Sequence, residues 1–237
     1  MLAHAQSMVL ASFAADSFAL GTHWIYDTTK IDGQFGRITS LLPPHEGTYH
    51  PSKVLGDFTH YGDQSFHLLE HLATHKGHFD IDEYSRDWQS FISEYQGYLD
   101  QATKQTQKNL ENGSGADTCG SLSTDLGGPA RIAPLIYCYR ENLTDMLTAV
   151  KAQILFTHGG SGILEGALFL ARSCHSILHG ATPRVALERA LTQTIDSPDL
   201  ELRLRKCLEP PHSNTLQQIK EFGQMCSINA ALPGAIY

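Results

Sequence analysis

A chain of 237 residues with 41% hydrophobic content is long enough to bury a sizeable core, and it reads as one domain over residues 1–237. A formal charge of −8 and a pI near 5.9, with 17 Lys and Arg scattered along the chain, leave no electrostatic footprint for a nucleic-acid backbone. The five cysteines (Cys119, Cys138, Cys174, Cys207 and Cys226) are odd in number and form no C-x-x-C pair, which fits reduced thiols in a cytoplasmic protein.

The first segment, "MLAHAQSMVLASFAADSFALG", lacks a positive leader and carries Asp16 near its end, so it reads as a buried first helix rather than a signal peptide. No apolar run reaches the roughly 20 residues needed to span a bilayer, and the best one, "GILEGALFLA", contains Glu165. Helical periodicity dominates and strand alternation is hard to find, so the fold class is all-α. Helices are expected at about 3–20, 63–75, 80–110, 129–140, 143–156, 161–179, 183–195, 199–207 and 213–222. Gly, Pro and Ser mark loops at 41–51, 112–128, 157–162 and 208–213. The 112–128 loop is long enough to suggest a binding loop or lid. The last stretch, "CSINAALPGAIY", reads as a loop and an apolar helix with Pro233 near its first turn.

In "GDFTHYGDQSF" (56–66), Asp63 stands where an N-cap is expected, ahead of an apolar face formed by Phe66, Leu68, Leu69, Leu72 and Ala73. Asp57 lies in the loop before it, either as a ligand for a hard cation or polar substrate or as the acceptor of an Asx turn. The same helix carries "HLLEH", which matches H-x-x-E-H, the arrangement of a zinc peptidase with His67 and His71 as ligands and Glu70 as base. These residues and His75 lie opposite the leucines, where a solvated polar face is the simpler expectation.

Four segments in order, "AADSFALGTHWIYD" (14–27), "GDFTHYGDQSFHLLEHLA" (56–73), "TDLGGPARIAPLIY" (124–137) and "THGGSGILEGALFLA" (157–171), resemble the motif set of the ADP-ribosylglycohydrolase family, in particular its dinitrogenase reductase-activating glycohydrolases. The resemblance implies a helical domain with a central cleft that holds two Mg2+ ions beside ADP-ribose. It also implies hydrolysis of the bond joining the ribose to an acceptor on a protein or small molecule. Such a reaction passes through an oxocarbenium-like state and needs an activated water and a stabilised leaving group. On that basis Asp57 and Asp63 are the catalytic candidates, and Asp16, Asp57 and Asp63 the metal ligands. Asp125, Gly127, Gly128, Arg131, His158, Gly159 and Gly160 are the substrate-binding candidates, their glycine loops offering N–H groups to a pyrophosphate or simply capping the next helix.

The chain departs from the family pattern at the opening of that helix. With Gln64 as the anchor, Tyr61 and Gly62 stand where adjacent aspartates are expected. The resemblance also implies a C-terminal Asp-rich metal-binding segment that is not found before Tyr237. Two readings therefore stand, a hydrolase with a rearranged metal site and a non-catalytic module that binds ADP-ribose or a similar nucleotide, with the zinc peptidase a third.

Overall fold

A computed structural model describes residues 1–210 and 214–237; the part of the expected 208–213 loop at 211–213, with the first residue of the helix expected at 213–222, lies outside the described residues. Twelve α-helices and two short 3-10 turns follow one another, with no sheet among the described residues beyond two isolated bridges. Helix α1 (Leu2–Ala19) is followed by a 3-10 turn at Leu20–Thr22 and by α2 (Thr28–Phe35), and an irregular segment then leads to α3 (His60–Thr74). Next come α4 (Ile81–Glu94), α5 (Gln101–Glu111), a 3-10 turn at Pro129–Arg131, α6 (Ala133–Cys138), α7 (Leu143–Thr157) and α8 (Ile163–Leu178). The chain ends with α9 (Pro183–Ala190), α10 (Pro198–Cys207), α11 (Thr215–Phe222) and α12 (Ile228–Ile236).

The core is built where α3, α4, α7 and α8 meet, around Leu68, Leu72, Trp88, Ile154, Phe156 and Phe169. Each such side chain contributes roughly 1.5–3 kcal/mol by leaving water. Helix α1 buries only the stripe Ala5, Val9, Phe13 and Ser17, while Leu10 remains 69% exposed, so it packs on α3 and α6 along one face instead of being enclosed.

Capping explains several boundaries. The expected helix at 80–110 is divided because Tyr95 is extended and Asp100 accepts from the Thr103 N–H at 2.7 Å, starting a second helix. Helix α3 begins earlier than expected, with Thr59 rather than Asp63 as the N-cap; the Thr59 hydroxyl accepts from the Tyr61 N–H at 3.1 Å. Helix α2 was not expected, and Pro233 lies well inside α12 rather than in its first turn. No helix among the described residues is long and apolar enough to cross a membrane.

Candidate functional site

The N-terminus of α3 is held against the C-terminal end of α1. Asp16 accepts from both the backbone N–H and the hydroxyl of Thr59, each at 2.7 Å. A side chain at Gly62 would run into the Asp16 carboxylate, so the glycine inside the first turn of α3 is what lets the two segments close. Burial pushes the Asp16 carboxyl above its ordinary value, against the lowering effect of the Thr59 bonds and with the negative charge of Asp63 adding to the rise. Asp63 itself faces the Lys53 ammonium at 2.5 Å and accepts from the Tyr95 hydroxyl. Asp57 stays in the approach loop, where it accepts from the Val54 N–H at 2.8 Å and closes a turn.

A second wall comes from three loops sewn together by backbone bonds. The Ser121 N–H reaches the Thr157 carbonyl at 3.1 Å, and the N–H groups of Gly159 and Gly160 donate to the carbonyls of Ser121 and Ser123 at 2.7 and 3.1 Å. From the other side, the Leu126 N–H donates to the Cys226 carbonyl at 2.8 Å and the Ile228 N–H to the Thr124 carbonyl at 2.7 Å. Asp125 is thereby fixed with its carboxylate accepting from the Gly127 N–H at 2.7 Å and the Tyr61 hydroxyl at 3.0 Å. Gly127 is required here because a side chain would occupy the Tyr61 ring.

Behind this wall sits a fully buried polar network. The Arg131 guanidinium donates to the Gly127 carbonyl at 2.9 Å, to the Thr157 hydroxyl at 3.0 Å and to the Gln64 side-chain oxygen. Gln64 also accepts from the Trp88 indole and donates to Thr103. Arg131 is 1% exposed, and its closest acceptors are neutral oxygens rather than a carboxylate. His158 lies beside it, 2.8 Å from the Thr157 hydroxyl, and is pushed down to about 3 by burial and by the Arg131 charge.

The segment 23–61 contributes a group that sequence reading did not assemble. The ligand nitrogens of His23, His50 and His60 lie within 4.8 Å of one another. His23 Nδ1 and His50 Nε2 are 2.7 Å apart, and His60 Nε2 is 3.3 Å from Asp100. Burial, then neighbouring imidazoles, pushes His23 down to about 3 and His50 to about 4. Burial opposes ionisation of Asp100, but its bonds with His60 and Thr103 outweigh that and hold its carboxyl below the ordinary range. Trp24, Tyr49, Tyr61 and Tyr98 wrap the imidazoles, and Trp24 adopts φ +64°, a conformation that a bulky residue holds only under constraint. The sequence signal was the repeated placing of histidine beside an aromatic: His23-Trp24, Tyr49-His50 and His60-Tyr61.

The H-x-x-E-H match is not assembled. His67 stacks on Phe91 with centroids 4.4 Å apart, Glu70 is exposed, and His71 is buried against Asp87 at 2.7 Å. The face taken as solvated is covered by α4, which supplies Tyr84, Asp87 and Phe91.

The two Mg2+ ions implied by the resemblance do not fit these residues. Asp16, Asp57, Asp63 and Asp125 each accept from protein donors, and among the described residues no three carboxylates share one small volume. Magnesium requires near-octahedral oxygen ligation, whereas the two groups that converge among the described residues, His23 with His50 and His60, and His71 with His75 and Asp87, offer mainly imidazole nitrogen.

Known proteins place the whole chain. It is 23% identical over 249 residues to crystallin J1A of Tripedalia cystophora, covering 98% of this chain and 76% of that protein. Its fold matches that of a chain solved in an "ADP-ribosylglycohydrolase-related protein complex", with a TM-score of 0.68 at 19% identity over 97% of this chain and 78% of that one. The ADP-ribosylglycohydrolase family model matches residues 2–237, and the chain belongs to that family.

Proposed function

We propose that the protein hydrolyses the bond between ribose and an acceptor in an ADP-ribosylated protein or a small ADP-ribose-containing molecule, at a centre that does not use paired magnesium ions. Family membership supports glycoside hydrolysis, and the observation that carries the reading to this site is the placing of Asp16 and Asp63 at the N-terminus of α3, Asp16 bonded to its N-cap Thr59 and Asp63 in its first turn. Glycoside cleavage needs two carboxyl groups in unlike environments, one holding a proton and one accepting it. Asp16, whose carboxyl is raised by burial, suits the first part; Asp63, beside Lys53 and Tyr95, is assigned the second, drawing a proton from the attacking water. Asp57 shapes the approach loop. Tyr61, oriented by Asp125, forms the surface offered to the ligand; the buried Gly127 and Gly128 let the Tyr61 and His158 rings pack closely, Arg131 supports them from behind, and Gly159 and Gly160 hold the loops in register.

The commitment of every one of these carboxylates to an internal partner favours a second reading, a module that binds ADP-ribose without cleaving it. One experiment separates the two. The purified chain is incubated with arginine- and serine-linked ADP-ribose and free ADP-ribose is measured, with and without added magnesium. Release that needs no magnesium and is lost in Asp63→Asn supports the hydrolase. Calorimetric binding of ADP-ribose with no release on either substrate identifies the binding module, and release that depends on magnesium overturns the metal-site reading.

A further inference from the structure

We infer that His23, His50 and His60 form a binding site for one zinc ion, a three-imidazole centre beside the N-terminus of α3. The geometry of the first pair carries the argument. Two rings with centroids 5.0 Å apart, planes 19° apart and nitrogens 2.7 Å apart lie edge to edge, so each presents an in-plane nitrogen to the other instead of a face. That is the direction in which imidazole binds a metal. Tetrahedral zinc with Zn–N distances of about 2.0–2.1 Å puts its nitrogens roughly 3.3–3.4 Å apart, so this pair, which shares a hydrogen bond at 2.7 Å, has to open by roughly 0.6 Å and exchange that bond for the ion.

The third ligand has the support that metal-bound histidines usually have. His60 is fully buried, its Nε2 lies 3.3 Å from the Asp100 carboxylate, and neither of its ring nitrogens has a partner in hydrogen-bond geometry. A carboxylate holding one ring nitrogen of a ligating histidine fixes the tautomer and raises the basicity of the other. Asp100 is in turn fixed, because its other oxygen caps α5. His50 Nδ1 is also buried without a partner. A histidine that merely fills space in a core normally has its polar atoms satisfied, and a fully buried His60 with both ring nitrogens unpartnered, converging with two further imidazoles, is not explained by packing.

The donor set selects the ion. Neutral imidazoles suit zinc and its first-row neighbours and are poor ligands for magnesium, and no cysteine or carboxylate belongs to this group. The strained Trp24 backbone next to His23 shows that the surrounding structure holds this turn against its own preference. His23 is the partly exposed member of the three, while His50 and His60 are buried. Zinc held by three histidines keeps a fourth position for water or for an oxygen or nitrogen of a ligand.

The test reads metal binding, so its failure leaves the hydrolase reading standing. Chelator-treated, dialysed full chain is titrated with zinc chloride by calorimetry in the presence of excess magnesium, with metal content checked by elemental analysis. One equivalent should bind and raise the melting temperature, and His23→Gln, the least buried ligand, should abolish tight binding. Asp100→Asn, which keeps an oxygen for the α5 cap, should weaken binding by roughly 10–100-fold. Cobalt bound to the unmutated chain gives a check that requires no variant to fold: ligand-field bands of a four-coordinate ion without a thiolate charge-transfer band. The proposal is overturned if the chain binds no zinc, if cobalt gives a six-coordinate spectrum, or if binding survives His23→Gln but is lost in His75→Gln, which would place the ion at the His71, His75 and Asp87 group instead.

Discussion

His23, His50, His67 and His158 are all held neutral by burial, with values pushed down to about 3 or 4 from an ordinary 6.5. An unfolded chain takes up a proton on each as pH falls through 6.5, while the folded chain resists until about 4 or below. Stability is therefore complete above pH 6.5 and declines toward pH 4. A single histidine gives a slope of about 1.4 kcal/mol per pH unit, and these four together should give a steeper one. Urea denaturation of metal-free protein between pH 7 and pH 4.5 measures it; a flat profile would mean that the imidazoles are already charged in the fold. The glycines make a separate residue-scale prediction. Gly127→Val would force the Tyr61 ring from its place against Asp125, and overpacking of this kind costs about 1–3 kcal/mol. Loss of ligand affinity well beyond that loss of stability is the expected result, from paired calorimetry and denaturation.

At the level of the helix, α3 shows what local sequence could and could not supply. Its apolar face was legible from Leu68 and Leu72, but its start was not, because Thr59 and Asp63 are both acceptable caps and Gly62 argues locally against helix. The glycine is helical for a reason that lies 46 residues away, in the space taken by the Asp16 carboxylate. The break between α4 and α5 was missed for a related cause: the apolar periodicity runs on across it, and only the side chain of Asp100, tied to His60, marks the new start. Thr59→Ala removes both the cap on the Tyr61 N–H and the hydroxyl bond to Asp16, and should cost about 1–2 kcal/mol. Thr59→Ser should recover most of it in thermal unfolding. Equal losses in the two variants would show that the threonine methyl, not its hydroxyl, matters.

Across the whole molecule, the all-α class and the family were legible because they rest on long periodic segments and on four ordered motifs spread from 14 to 171. The metal question was not, because it depends on where side chains meet. Asp57 and Asp63 are only six positions apart, yet one closes a turn and the other pairs with Lys53 and Tyr95. The three histidines are spaced widely along the chain and meet only when the irregular segment folds back on α3. The bonds joining Thr124 and Leu126 to Ile228 and Cys226 have a further consequence, for the order in which the molecule is made. A chain emerging from the ribosome can assemble α1, α3, α7 and α8 as each appears, but Asp125 has no anchor on that side until residues 226–228 have followed. The loop facing Tyr61 is thus among the last parts to set, and a nascent chain arrested before that point would lack both the finished loop and the Ile228 and Leu232 side chains that pack on α8.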